Sequence, residues 1–198
     1  LLLNGAFSPL TGFMDNKTYE SVLHTMRLPS GVMWPVPIVL DVAEEKAQSY
    51  QLGEKLALRD KEGFMLAILT ITDVWKADKE QEAASVFGDT NSQHVGVNEL
   101  YHKRQDYYIG GDLVGCQLPL KSAFSLYWDT PKSLRDFFKK RGWKRVIALN
   151  ATHALHRFER DLILQATRER QVHALIHPLI NMASEQRYLH GHIQCYKQ

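Results

Sequence analysis

No stretch of this chain is apolar for long enough to cross a bilayer as a helix. No N-terminal segment joins a basic start, a long apolar middle and a small-residue cleavage site. An excess of one charge is also missing. Lys and Arg number 24 against 22 Asp and Glu, a formal charge of +2, which argues against nucleic acid or an anionic membrane as partner. Cysteine is scarce: Cys116 and Cys195 are far apart and show no CxxC spacing. They read as two structural thiols in a reducing, cytoplasmic setting rather than a disulfide or metal site. Internal repeats and low-complexity segments are absent. What remains is ordinary globular composition, 44% hydrophobic and 23% charged over 198 residues. That length suits one large or two small domains with a real core. The chain opens abruptly on LLLNGAF, so a preceding segment is expected.

The first two-thirds read as β-rich. VPIVLDV (36–42), EKLALRD (54–60) and FMLAILTITDVW (64–75) are short apolar or alternating runs. RDKEG (59–63) between the last two predicts a hairpin. Residues 5–15 read as an ordered loop, residues 18–26 as a short helix, and residues 87–98 as a loop holding Gly88 and Gly96. DYYIGGDLVGCQLPL (106–120) reads as strand, turn and strand.

The pattern changes near Asp129. TPKSLRDFFKKRGW (130–143) has a candidate N-cap, Pro131 at the first helical position and Gly142 at the far end. KRVIAL (144–149) follows as a strand. Leu155, Phe158, Leu162 and Ala166 recur at helical spacing to about residue 170, and VHALIHPLI (172–180) is a second strand. Helix, strand, helix, strand begins an α/β unit with a parallel sheet. The boundary is expected near 122–130, giving domains 1–128 and 129–198. Two strands cannot make a covered parallel sheet, so more chain or another subunit is expected to complete the layer. Phe137, Phe138 and Trp143 read as core.

The informative stretch is VIALNATHALHRFERDL (146–162). A strand runs through a polar turn into an amphipathic helix, the place where nucleotide-binding proteins put their chemistry. Yet this turn has no glycine. It holds Thr152, His153, Ala154 and His156 instead.

Long motifs in order carry a resemblance. GAFSPLTGFM (5–14), WPVPIVLD (34–41), LALRDKEG (56–63), LAILTITDVWKADKEQEA (66–83), the VFG and HVGV pieces (86–97) and YYIGG (107–111) come first. TPKSLRDFFKKRGWKRVIAL (130–149), LIHPLI (175–180) and CY (195–196) follow. Together they resemble the sulfate adenylyltransferase, or ATP sulfurylase, family across nearly the whole chain. The resemblance implies an α+β, PUA-like, β-rich N-terminal domain, then the start of a Rossmann-like α/β nucleotidyltransferase domain. It implies a reaction of sulfate with ATP, Mg²⁺ accompanying the nucleotide, to give adenylyl sulfate and pyrophosphate. It also implies homo-oligomers and, in some members, a fused adenylylsulfate kinase domain.

The family's turn reads Gln-x-Arg-Asn-Pro-x-His-x-x-His. Here Asn150 stands for the glutamine, Thr152 for the arginine, His153 for the asparagine and Ala154 for the proline. His156 matches, with Arg157 beside it. Glu159 replaces the second histidine. The sulfate counter-charge is therefore gone, and a carboxylate stands near the phosphate position. After LIHP the family carries a glycine, a threonine-lysine pair and an aspartate. Asn181, Ala183, Ser184 and Arg187 hold those places here, and the lysine is missing. The family's Gly-Arg-Asp-His-like adenine segment would lie beyond Gln198.

The sequence thus predicts a kept fold with lost or altered chemistry. His156 is the candidate catalytic residue, with packing or exposure at a helix start as the competing reading. Asn150, Thr152, His153, Arg157 and Glu159 are the candidate substrate positions. His153, His156 and Glu159 are spaced three apart, so a metal site is a second reading, although the motif already explains why they share a pocket. His190 and His192 read as loop residues. Arg157, Arg160, Arg168 and Arg170 with Glu159, Asp161 and Glu169 read as a solvated helix face. RNA binding through the PUA-like part is a third class, disfavoured by the charge balance.

Overall fold

A computed structural model of the chain describes residues 1–116, 129–179 and 194–196. The chain forms two compact units, Leu1–Lys132 and Ser133–Gln198.

The first unit is an antiparallel sheet with helices. Its elements are β1 (Gly12–Phe13), α1 (Asn16–Thr25), β2 (Leu40–Val42), α2 (Glu44–Ser49), β3 (Lys55–Arg59), β4 (Met65–Lys76), α3 (Lys79–Phe87), α4 (Val95–His102) and β5 (Tyr107–Gly115). The sheet runs β1-β5-β4-β3, and β2 also pairs with β5. Strand β4 shows why it forms. Ala67, Leu69 and Ile71 alternate inward and are buried, as the period of two requires. The expected β3–β4 hairpin is present. Asp60 Oδ1 accepts from the N–H groups of Glu62 and Phe64, at 3.0 and 2.9 Å, and Gly63 takes φ +91°.

Side-chain caps start two of the helices. Asp15 accepts from the Thr18 N–H at 2.8 Å for α1, and Asp78 from the Gln81 N–H at 3.0 Å for α3. A bulge between Ile71 and Asp73 re-aims the strand, and Asp73 then accepts from the Asn16 N–H at 2.9 Å. Beneath the helices lies a polar knot in the core. Glu82 on α3 is 5% exposed, and its Oε2 accepts from both the Tyr19 and Tyr108 hydroxyls at 2.8 Å. Trp75 packs edge-on or tilted against both phenol rings.

Two sequence expectations fail here. Residues 107–115 form one strand, with Gly110 and Gly111 inside it rather than at a turn. A Cβ on Gly110 would strike Met14 O, and one on Gly111 would strike Thr70 O. These glycines serve close backbone approach, which turn statistics do not distinguish. The stretch 87–98 is not all loop either. Gly88 ends α3 in the left-handed region, but Gly96 lies within α4, where a Cβ would meet the Phe87 ring. Residues 117–120 of the expected second strand lie outside the described residues.

The second unit contains α5 (Pro131–Lys140), β6 (Val146–Ala151), α6 (Arg157–Arg170) and β7 (His173–Pro178). The unit boundary falls in the first turn of α5. Helix α5 ends as the sequence predicts. Gly142 adopts φ +68°, the Gly142 N–H donates to Lys139 O, and the Trp143 N–H donates to Phe138 O. Strands β6 and β7 pair in parallel from Val146↔His173 to Ala151↔Pro178. Helix, strand, helix, parallel strand is the α/β start expected from the sequence.

The aromatics of α5 are not core. No residue of α5 is buried, and Phe137 is 42% exposed. Instead they stack on one another: Phe138 on Trp143 at 5.7 Å, and Trp143 on His173 at 4.1 Å and 7°. The apolar stripe of α6 is open as well, with Phe158 76% and Leu162 55% exposed. Periodicity identifies the apolar face. Whether anything covers it depends on a second layer, and the described residues of this unit supply none.

Candidate functional site

The site is built where β6 meets α6. Apolar β6 delivers Ala151, buried at the ladder's end, and Ala151 O accepts from the Leu179 N–H at 2.7 Å. That bond ties the start of the turn to the end of β7. Residues 152–156 then cross to the first turn of α6. Thr152, His153, His156 and Arg157 are exposed, while Glu159 is half-buried.

The turn is organised by its own side chains. His156 is the N-cap residue of α6, with extended backbone. Glu159, three residues on, accepts from the His156 N–H through Oε2 at 2.9 Å. Its Oε1 lies 3.8 Å from His153 Nε2. The His153 and His156 rings sit 5.3 Å apart, tilted by 40°. Glu159 therefore fixes the helix start and also faces the His153 imidazole. A backbone donor that could meet an anion is already taken by an internal carboxylate.

Two residues that the sequence reading quoted within motifs, but gave no role, join this turn. His177 Nδ1 lies 3.2 Å from Asn150 Oδ1. The parallel register places the two side by side, Asn150↔His177. Tyr196 donates its hydroxyl to His153 O at 2.6 Å. Burial raises the Tyr196 phenol pKa above the usual range, with smaller contributions from the charges of Cys195 and Glu159. The strand register, with the pair 27 residues apart, was a signal for His177. Tyr196 lies in the CY pair that carried part of the resemblance, without a role assigned to it.

The structure thus brings Asn150, His153, His156 and Glu159 together around one turn, with Thr152 and Arg157 exposed on the same segment. His153 precedes the helix and His156 caps it, so they do not share a helix face with Glu159. Among the described residues no group of three His, Cys, Asp or Glu side chains is arranged to hold a metal ion. Farther along α6, Arg160 lies 3.7 Å from Asp161 and Gln165 donates to Glu169, a mixed polar face. The loop positions Asn181, Ala183, Ser184 and Arg187, and His190 and His192, lie outside the described residues.

Comparison with known proteins agrees across both units. The sequence pattern of a PUA-like domain matches residues 1–118, and that of ATP-sulfurylase matches residues 125–198. The chain is similar to the sulfate adenylyltransferase of Eremothecium gossypii, 38% identical over all of this chain and 40% of that one. It is similar to that of Saccharomyces cerevisiae, 40% identical over 92% of this chain and 35% of that one. Among solved structures it is similar to a hexameric APS kinase from Thiobacillus denitrificans. That match has a TM-score of 0.69 and 32% identity, over 99% of this chain and 35% of that one. The chain therefore spans two-fifths or less of the length of these relatives.

Proposed function

Because the chain belongs to the sulfate adenylyltransferase (ATP sulfurylase) family, a PUA-like domain followed by an ATP-sulfurylase domain, we propose that it keeps the family's adenylyl-transfer site in a weakened form. The reaction would join sulfate to the α-phosphorus of MgATP and release pyrophosphate. The magnesium would arrive as part of that substrate.

The carrying observation is the Glu159 carboxylate on the His156 N–H. Attack of one anion on another needs cations and preorganised donors around both. Thr152 supplies no charge where the resemblance places an arginine. Glu159 adds negative charge and occupies a donor where the resemblance places a histidine. His156, Asn150, His153 and Arg157 remain as the residues that would meet substrate, with His156 in the catalytic role. The test is the reverse reaction, ATP formed from adenylyl sulfate and pyrophosphate with Mg²⁺, read as light. Turnover at the level of an active relative would refute the weakened-site reading.

A second reading is a platform for an adenylylsulfate kinase, fused or as partner. It is favoured by the similarity to a protein described as a hexameric APS kinase. Homo-oligomer formation belongs to this reading, because subunit contact does not need the missing arginine. Adenylyl sulfate would then be a ligand held for the kinase. No helix among the described residues is long and apolar enough to cross a membrane. A cytoplasmic setting, without nucleic acid as partner, fits the charge balance and the two free thiols.

A further inference from the structure

The pairing of Asn150 with His177 extends this reading. Both side chains are exposed on adjacent parallel strands, one rung before the ladder's last pair. Pro178 follows His177 and restricts it to extended backbone, so the ring is held beside β6. Asparagine is one methylene shorter than glutamine. That length keeps its carboxamide close to the strand, with Oδ1 3.2 Å from His177 Nδ1. A glutamine would carry the same group past the ring.

We infer that His177 is a positioning residue: its Nδ1–H donates to Asn150 Oδ1 and turns the Asn150 amide N–H groups toward the substrate oxyanion. The inference rests on the proposed weakened adenylyl-transfer site. It also gives Asn150 a definite chemistry. With its oxygen held by the imidazole, the carboxamide offers only donors, the polarity that a sulfate or phosphate oxygen requires. His177 is thereby fixed as the Nδ1–H tautomer, with Nε2 as its remaining ring nitrogen.

Long-range proton–nitrogen NMR of the whole chain reads the tautomer directly, with the His177 signals assigned by their loss in His177→Phe. The expected result is the Nδ1–H form, shifting to Nε2–H in Asn150→Ala. An Nε2–H imidazole that ignores Asn150→Ala overturns the pairing. Calorimetric titration with adenylyl sulfate reads the consequence. His177→Phe, similar in shape but without a donor, should bind about tenfold more weakly. His177→Asn, which restores a donor near the Nδ1 position, should recover most of that loss. Equal binding by wild type and His177→Phe overturns the positioning role alone. If the folded wild-type chain binds neither adenylyl sulfate nor pyrophosphate, the weakened-site reading falls and takes this inference with it.

Discussion

Replacing Glu82 by alanine should open the first unit from its centre. Glu82 Oε2 is the shared acceptor of two phenols, one from α1 and one from β5, each at 2.8 Å. Removing it strands both hydroxyls, and Tyr19 and Tyr108 are at most 1% exposed. A buried donor without a partner costs about 1–3 kcal/mol, so two cost roughly 3–5 kcal/mol once partial relaxation is allowed. That is a large part of the roughly 5–15 kcal/mol that holds a typical domain. Amide hydrogen exchange is the suitable assay, because it resolves one unit from the other. Protection in α1, α3 and β5 should fall roughly a hundred- to several-thousand-fold, while β6 and β7 hold theirs. The triple variant Glu82→Leu, Tyr19→Phe and Tyr108→Phe should recover much of the loss, since it removes donors and acceptor together. A Glu82→Ala loss below about fivefold would refute the reasoning, because the hydroxyls would then have found other partners.

Other outcomes follow from the same geometry. Thr152→Arg should strengthen sulfate binding by about ten- to a hundredfold, measured by sulfate competition against adenylyl sulfate; no change would count against Thr152 lying at the sulfate position. Tyr19 and Tyr108 have pKa values pushed well up, mainly by burial and then by the Glu82 charge. Above about pH 10 the unfolded chain loses phenol protons that the folded chain keeps. The unfolded state then binds fewer protons, so stability falls as pH rises, and urea midpoints should drop steadily from about pH 10 upward. Gly111→Ala should cost about 2 kcal/mol or more, read by thermal unfolding, because its Cβ would strike Thr70 O, a backbone atom that cannot rotate away.

Much of the scaffold is legible from sequence because period and punctuation are local. The alternation in β4, the Asp60 hairpin and the Gly142 helix end each depend on neighbours a few residues away. Gly110 and Gly111 mislead because their reason lies across the sheet, at Met14 and Thr70. Phe137 and Phe138 mislead because apolar side chains can stack on Trp143 and stay half-exposed. At the site, the strand, the turn and the helix start at His156 were legible. The Glu159 contact to the His156 N–H was not read from the sequence, although a Glu three residues after the N-cap has capping-box spacing. His177 and Tyr196 needed the third dimension.

The glycine crossing has a consequence for how such a chain changes over generations. A Cβ at Gly12 would strike Gly111 O, and Gly110 and Gly111 face backbone on either side, so not even a methyl group fits. The turn at Thr152 and His153 faces solvent, where a replaced side chain disturbs little. A lineage kept only for its fold would therefore hold the glycines and let the turn wander. The sheet's glycines are thus held by packing alone, whatever chemistry the turn performs.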